Sequence, residues 1–432
     1  MSDRLSSLTH RDAPWAGLRV LVTGLGVSGF AAADALLERG AHVLVVDGAQ
    51  PSGVLAERAR ILDILGAELA FGPDAVARMP GTPLDLVVTS PGWRPDQSLL
   101  AEAAATGIPV WGEVELAWRM RPEHGAAPWL TVTGTNGKTT TVQMLTSILR
   151  AAGLRACSAG NVGTPILEAV VHPEPFDVIA VELSSFQLHW SHSIAPQASA
   201  CLNVAPDHVD WHGSLEEYAL AKGKVYANTE VACVYNVQDE RTRRLVEDAD
   251  VRDGCRAVGF TLGVPGLSEV GLVGDVLADR AFVEQRRTAA AELATLDDLA
   301  GGGPSPAPHL VANALAAAAL ARAHGVPAGA VRAGLRAFVP EPHRIAEVAT
   351  VDGIRFVDDS KATNPHAARA SLTAYENVVW VAGGLLKGAD VDDLVEAAAD
   401  HLRGVVLIGR DRDAIAQALA RHAPDVPVVD ID

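Results

Sequence analysis

The sequence predicts an α/β protein of three domains, and three observations lead there. A strand, glycine turn, helix and strand open the chain over residues 18–47. A second strand, glycine loop and helix follows at 130–152, and strand-like runs restart after a Pro-containing stretch at 338–342. Strands alternating with helices imply mostly parallel sheets. The 432 residues also exceed what one hydrophobic core usually organises, at about 150 residues per domain.

The first segment is strand-like from Leu18 to Thr23 and turns through Gly24-Leu-Gly26-Val-Ser28-Gly29. It continues as a helix to Arg39 and returns as a strand over His42 to Val46, ending in Asp47. The turn fits the dinucleotide fingerprint: glycines allow a tight turn and close backbone approach, a helix N-terminus attracts a diphosphate, and Asp47 stands where a ribose-binding acid belongs. A ligand-free turn and a nicotinamide site both stay open on this motif alone. Further strands are expected at Leu86 to Thr89, leading into Ser90-Pro91-Gly92, and around Val110.

Arg121-Pro-Glu-His-Gly-Ala-Ala-Pro128 cannot continue a helix or a ladder and marks a first boundary. Strand-like Leu130 to Thr133, Gly134-Thr135-Asn136-Gly137-Lys138-Thr139-Thr140, and a helix over Val142 to Ala152 then open a second, doubly wound unit. Its other expected strands are Val178 to Glu182, Ala200 to Asn203 and Val231 to Asn236, and an alanine-rich helix runs from about Leu310 to Ala323. Phe338-Val-Pro-Glu-Pro342 marks the second boundary, after which Phe356 to Val357, Val378 to Val381 and Val405 to Ile408 read as strands. The expected domains are 1–124, 125–340 and 341–432.

Composition narrows the function. At 49% hydrophobic and 20% charged the chain has apolar surface enough for packed cores. Thirty-five basic against 53 acidic residues leave a formal charge of -18, which opposes a nucleic-acid partner. The N-terminus lacks a basic then apolar targeting pattern, and the best apolar stretch, Ala312 to Ala321, is too short to cross a bilayer, so a cytoplasmic protein without a membrane partner is expected. Cys157, Cys201, Cys233 and Cys255 are too widely spaced for a zinc ribbon or a disulfide framework and read as small buried residues. Only five of the 35 basic residues are lysines, at 138, 222, 224, 361 and 387. In a chain that gives its ordinary surface charge to Arg, a remaining Lys marks a need for a compact ammonium or a nucleophilic amine.

Gly134 to Thr139 departs from the full Walker spacing but keeps its working parts: backbone amides and Lys138 for phosphate oxygens, Thr139 for Mg²⁺. ATP is the expected ligand. Beyond the carboxyl ends of the strands, Glu182 and Asp207-His208 offer metal-binding oxygen and nitrogen, although a helix cap and a loop histidine explain them equally well. His189, His192 and His212 lie nearby at spacings that fit no zinc pattern.

Through these motifs the chain resembles the Mur ligases over nearly its whole length, and within them the D-glutamate-adding branch. The resemblance rests on Gly134-Thr-Asn-Gly-Lys-Thr-Thr140, Glu182-Leu-Ser-Ser-Phe-Gln-Leu188, Asn203-Val-Ala-Pro-Asp-His208, His343-Arg344 and Asp359-Ser-Lys361-Ala-Thr363-Asn-Pro365. It implies an ATP-dependent amide ligase that joins D-glutamate to UDP-N-acetylmuramoyl-L-alanine through an acyl phosphate, acting as a monomer with two Mg²⁺ ions.

By the same resemblance, Lys138 and Thr139 hold phosphates and Mg²⁺, Glu182 and His208 bind metal, and Lys222 takes up CO₂ as a carbamate to become an anionic metal ligand. Gly134, Thr135, Asn136, Gly137 and Thr140 complete the ATP loop, Asn313 contacts adenine, and Arg344 and Asp359 contact the nucleotide. Lys361, Thr363 and Lys387 contact D-glutamate; Asn161 and Ser184 face the muramoyl-alanine end. Gly24 to Gly29 (Gly26, Ser28 and Gly29 above all), Asp47, Ser90, Pro91 and Gly92 form a UDP site, which displaces the nicotinamide alternative. Lys224 reads as a solvated charge.

The chain departs from the family's pattern at Leu310, where Asn is frequent, at Leu385, and in having no match to a final Ser- and Phe-containing motif after Asp432. The third domain is therefore expected to be a partial α/β unit. A non-catalytic nucleotide-sugar-binding relative is the alternative from a different class.

Overall fold

The computed structural model describes residues 2–301, 305–339, 346–386 and 389–431. The strands form three parallel or mostly parallel sheets and a hairpin. In the first sheet β1 (Arg19–Thr23), β2 (His42–Asp47), β3 (Glu68–Phe71), β4 (Leu86–Thr89) and β5 (Val110–Gly112) run parallel in the order β3-β2-β1-β4-β5. The order reverses at β1, between β2 and β4, and ligands bind beyond the carboxyl ends of strands at such a point. Thr23 and Thr89 are register partners, and the Thr23 hydroxyl donates to Thr89 Oγ1 at 2.8 Å, so the turns that follow, at Gly24 and Ser90, are brought face to face.

The second sheet repeats this logic at larger scale. Its strands are β6 (Trp129–Thr133), β7 (Ala156–Gly160), β8 (Val178–Glu182), β9 (Ala198–Cys201), β10 (Ala232–Asn236), β11 (Arg256–Phe260), β12 (Glu269–Val273), β13 (Val276–Asp279) and β14 (Ala291–Thr295). The order is β14-β13-β12-β11-β10-β9-β6-β8-β7, parallel from β7 through β12 with an antiparallel edge beyond. β6 lies between β8 and β9, so the glycine loop after β6 has Glu182 on one side and Asn203 on the other.

The loop feeds the helix Lys138–Ala151, which starts four residues before the expected Val142. Gly137 makes this possible by taking a φ of 86° at the N-cap. Ala-rich Pro308–Ala323 and Ala328–Ala337 pack beside it over one face of the sheet, in a core containing Leu145, Ile148, Leu315 and Leu335.

The other face shares its core with the first sheet. Leu36, Val114, Leu116 and Trp129 belong to the same buried cluster as Ile166, Ile179, Val181 and Tyr226. The two units thus have one continuous apolar interior across residues 121–128.

The third segment differs from its expected form. Phe356 and Val357 lie in β16 (Ile354–Asp358), which pairs antiparallel with β15 (Ala346–Val351) as a separate hairpin. The parallel sheet of this segment is β17 (Val378–Gly383), β18 (Leu402–Ile408) and β19 (Val428–Asp430). Leu372, Leu394, Val395, Ile415 and Leu419, from three helices, cover one face of it. Val379 and Val381 on the opposite face are 66% and 62% exposed.

Of the cysteines, Cys157, Cys201 and Cys233 are buried as expected. Cys255 is only half-buried and lies 3.7 Å, sulfur to sulfur, from Cys233; all four are free thiols. Among the described residues no helix is long and apolar enough to cross a membrane.

The closest backbone approach beneath the phosphate-loop helix is at Gly334, where a Cβ would lie 2.3 Å from Ile148 Cα. The same contact is pinned by Ser147 Oγ, which donates to Gly334 O at 2.7 Å. Gly334→Ala is expected to force these helices apart and lower stability by about 1–3 kcal/mol, seen as a lower unfolding midpoint in denaturant.

Candidate functional site

The candidate site is built from two glycine turns at the carboxyl ends of two sheets, each shaped as a cradle that phosphate would fit. In the first, Gly24 takes a φ of 88° and a Cβ at Gly29 would lie 1.8 Å from Gly24 O, so both glycines are required by geometry. Gly26 caps the following helix (Val27–Glu38), leaving its first amides available to an anion. Ser90 Oγ is buried with no hydrogen-bond partner and would be 2.7 Å from a Cβ on Gly24. An orphaned hydroxyl beside unsatisfied amides suits a diphosphate. Asp47 ties this turn together: one carboxylate oxygen accepts from Leu25 N at 2.9 Å and the other from Ala49 N at 3.0 Å. Asp47 is thus a brace for the turn as well as a candidate ribose contact. Ser28 and Pro91 are partly exposed and Gly92 is exposed at the rim.

The second cradle is the loop after β6. Asn203, just beyond β9, holds it: Asn203 Oδ1 accepts from Asn136 N at 2.9 Å, Asn203 Nδ2 donates to Asn136 O at 3.1 Å, and Thr135 N donates to Asn203 O at 3.0 Å. Thr135 Oγ1 accepts from Ala205 N at 3.0 Å and lies 3.2 Å from the Tyr218 hydroxyl. Thr139 and Thr140 are buried at the helix start. Lys138 Nζ folds back onto Gly134 O at 2.8 Å and Thr135 O at 3.0 Å.

Lys222 reaches the same point from the helix Leu215–Gly223. Its Nζ is buried, donates to Gly134 O at 2.9 Å and lies 4.4 Å from the centre of the Tyr218 ring. Burial, then the charge of Lys138, holds the Lys222 ammonium down at about 7, against a partial opposing effect from Asp207 and Glu182. Glu182, at the end of β8, accepts from Asn161 Nδ2 at 2.9 Å through one oxygen, while its other oxygen is buried with no hydrogen-bond partner. Mg²⁺ commonly takes one or two carboxylates together with phosphate oxygens, so this orphaned oxygen fits such an ion. No group of three or more His, Cys, Asp or Glu forms a metal cage among the described residues.

His208 takes a left-handed φ of 52°, with Nε2 3.6 Å from Asp207 Oδ2 and its ring 4.8 Å from that of Phe186. The neighbouring histidines make an aromatic cluster: His212 stacks on Phe186 and its Nε2 lies 2.9 Å from Ser185 Oγ, and His189 packs on Trp190 and Trp211. Ser184 caps the helix Ser185–His189 in a capping box with Gln187. Lys224 is exposed, but its Nζ donates to His189 O at 2.8 Å, so it is not merely solvated.

Asn313 abuts Gly137: a Cβ there would lie 2.3 Å from Asn313 Oδ1. Asn313 lines a cavity of about 630 Å³ with Asn203, Asn236, Phe260 and His309. The third segment reaches this cavity through His366, and two residues before it Asn364 meets the glycine loop, its Nδ2 donating to Asn136 Oδ1 at 2.8 Å. Asp359 accepts from the Ser371 hydroxyl; burial holds the His309 imidazole at the cavity below its ordinary value, and the charge of Asp359 opposes this. Lys361 and Thr363 are exposed on the same loop; Arg344 and Lys387 lie outside the described residues. Sequence reasoning did not single out Asn364, His366 or Tyr218, and it met Asn203 only as part of a motif.

A braced glycine loop beside a buried acid, with a second glycine turn of the same build on an adjoining sheet, is the architecture of an α/β enzyme suited to phosphate-bearing ligands. Residues 132–321 match the Mur ligase middle domain and residues 343–431 the Mur ligase glutamate ligase domain. The UDP-N-acetylmuramoylalanine–D-glutamate ligase of Streptomyces avermitilis is 59% identical over 97% of this chain and 88% of its own length; that of Thermobifida fusca is 58% identical over 96% and 87%. Among solved structures, the UDP-N-acetylmuramate-alanine ligase of Thermotoga maritima shares the fold at a TM-score of 0.55 and 20% identity, over 96% of this chain and 90% of that one. The chain belongs to the Mur ligase family. It is an ATP-dependent ligase of peptidoglycan precursor synthesis that uses Mg²⁺.

Gly137→Ala is expected to displace Asn313 and weaken ATP binding at least about tenfold, since a Cβ has neither the space nor an easy φ there; titration calorimetry with ATP and with UDP should show the loss for ATP alone. For Lys222, the native amine releases its proton near 7 and the unfolded one near 10.5, so the native state loses stability as pH falls from 10.5 towards 7. Lys222→Met should therefore gain stability relative to the natural protein across that window and level off below it, measured by denaturant unfolding in CO₂-free buffer.

Proposed function

We propose that the chain joins the amine of D-glutamate to the alanyl carboxylate of UDP-N-acetylmuramoyl-L-alanine at the expense of ATP, as a cytoplasmic monomer with domains over 1–124, 125–340 and 341–432. The observation that most favours this is the pairing of two phosphate cradles with the Glu182–Asn161 contact at the end of β8, beside the second cradle. UDP is held by Gly24 to Gly29, Asp47 and Ser90 to Gly92, and Asn161 and Ser184 receive the muramoyl-alanine end. The γ-phosphoryl group passes to the alanyl carboxylate, leaving ADP and an acyl phosphate. The D-glutamate amine then displaces phosphate and forms the amide. Such a step depends on positioning and charge neutralisation.

Lys138 supplies a mobile ammonium to the phosphates, exchanging its loop carbonyls for phosphate oxygens. Asn313 orients adenine and Asp359, with Arg344, the rest of the nucleotide; Lys361, Thr363 and Lys387 hold D-glutamate. Thr139, Glu182, His208 and Lys222 would hold two Mg²⁺ ions, which when bound neutralise phosphate charge. Lys222 does so as a carbamate: its neutral amine adds CO₂ and releases one proton, turning a cation into an anionic oxygen ligand. Burial of the amine and its low proton affinity favour that addition.

Phosphate release measured with UDP-N-acetylmuramoyl-L-alanine and each candidate amino acid is expected to be largest with D-glutamate; equal release with L-lysine or L-alanine overturns the assignment. Lys222→Ala should be inactive and partly rescued by acetate, which restores an oxygen ligand in the space left behind. Lys224→Ala should stay close to normal in the same assay.

A further inference from the structure

Two buried carboxylates that the reaction does not use lie on one short helix, Glu113–Arg119, directly after β5. Glu113 and Glu115 are 2% and 0% exposed, and both accept hydrogen bonds from the second unit. Glu113 Oε1 accepts from Leu167 N at 2.9 Å, at the start of the helix Ile166–Val171. Glu115 Oε2 accepts from His192 N at 2.8 Å and Ser193 N at 2.9 Å, and its Oε1 from Ser193 Oγ and Arg119 Nε, each at 2.6 Å. Gly112 N adds a bond to Trp190 O at 3.0 Å.

The two segments clasped are informative. Leu167 follows the Gly160-Asn161-Val-Gly163 turn, and His192 follows the run from Glu182 through Ser184 to Trp190. From the geometry we infer that Glu113 and Glu115 are positioning residues that fix the distance between the diphosphate cradle and the Asn161–Glu182 end of the site, so that one elongated substrate meets both together. This rests on the proposed reaction, whose substrate carries a diphosphate at one end and the reacting carboxylate at the other. A ligand gripped at two points gains affinity only while their spacing matches its length. UDP alone, which reaches only the first cradle, is indifferent to that spacing.

The two carboxylates are held differently. Burial raises the Glu113 carboxyl to about 7, with Glu168 adding to the rise and the Leu167 and Ile166 amides opposing it. Glu115 stays below its ordinary value because Ser193, His192 and Arg119 outweigh burial. A neutral amide that keeps an acceptor oxygen is therefore a mild replacement at position 113.

The test compares UDP, UDP-N-acetylmuramoyl-L-alanine and ATP on the full chain and on Glu113→Ala, Glu113→Gln and Glu115→Gln. Glu113→Ala is expected to raise KM for the sugar substrate about tenfold while Kd for UDP and KM for ATP stay within about twofold, and Glu113→Gln should recover most of the loss. Should Glu113→Ala fail to fold, Glu115→Gln carries the same comparison. Parallel weakening of UDP and ATP, or an unchanged KM for the sugar substrate, overturns the inference while leaving the reaction intact. If the natural chain turns over UDP-N-acetylmuramoyl-L-alanine but binds it no more tightly than UDP, the inference is overturned and the reaction stands; if it releases no phosphate with that substrate and D-glutamate, both are overturned.

Discussion

One carbonyl oxygen, that of Gly134, receives both Lys138 Nζ and Lys222 Nζ. Two ammonium groups converging on a single acceptor, one of them buried, repel each other. The arrangement lasts only if one amine gives up its proton or if anionic charge comes close. Burial, and after it the charge of Lys138, holds Lys222 at about 7, while Asp207 and Glu182 supply opposing negative charge. The shared carbonyl also explains the backbone. Gly134 takes a φ of 156°, and a Cβ there would lie 3.0 Å from Leu202 Cβ, so the turn that presents this oxygen is open only to glycine.

Around that point the molecule applies one topological device twice. In both large sheets a glycine turn follows the strand at which the order reverses, and a residue from the adjoining strand's end braces it: Asp47 at the end of β2, Asn203 just beyond β9. Backbone amides left unpaired by the turn are then free for phosphate oxygens, because the brace and not the ligand holds the loop in shape. The third segment enters through a reciprocal pair of amides, Asn364 with Asn136, so the loop proposed to hold phosphate is itself in contact with the unit proposed to bring D-glutamate.

What the sequence disclosed follows from the range of the interactions. Strand, glycine turn and helix are local patterns, so both turns and the helices they feed were legible from Gly24 to Gly29 and from Gly134 to Thr140. Lys222 drew notice with the other four lysines because Arg carries most of the basic charge, and it was the resemblance to the Mur ligases that set it apart from Lys224. The brace by Asn203, the double use of Asp47 and the clasp by Glu113 and Glu115 were not legible, because each joins residues from separate elements, and acids in the first turn of a helix look like ordinary N-terminal charges. β7 was missed because Ala156-Cys-Ser-Ala-Gly160 is made of small residues with little strand signal. Phe356 misled in the other direction: an apolar strand residue suggested a core sheet, yet it is 52% exposed on a hairpin.

The continuous interior beneath the first two sheets bears on how the protein comes apart. Trp129, Ile166 and Val181 share a buried cluster with Leu36, Val45 and Leu116, so neither unit can open without exposing apolar surface of the other. The first two units therefore melt as one cooperative block. The third segment, with its own core around Leu394, Val395 and Leu419, forms a separate one. Amide exchange would then report two populations of protected strands, and occupancy of the diphosphate cradle would slow exchange as far away as β7 and β8.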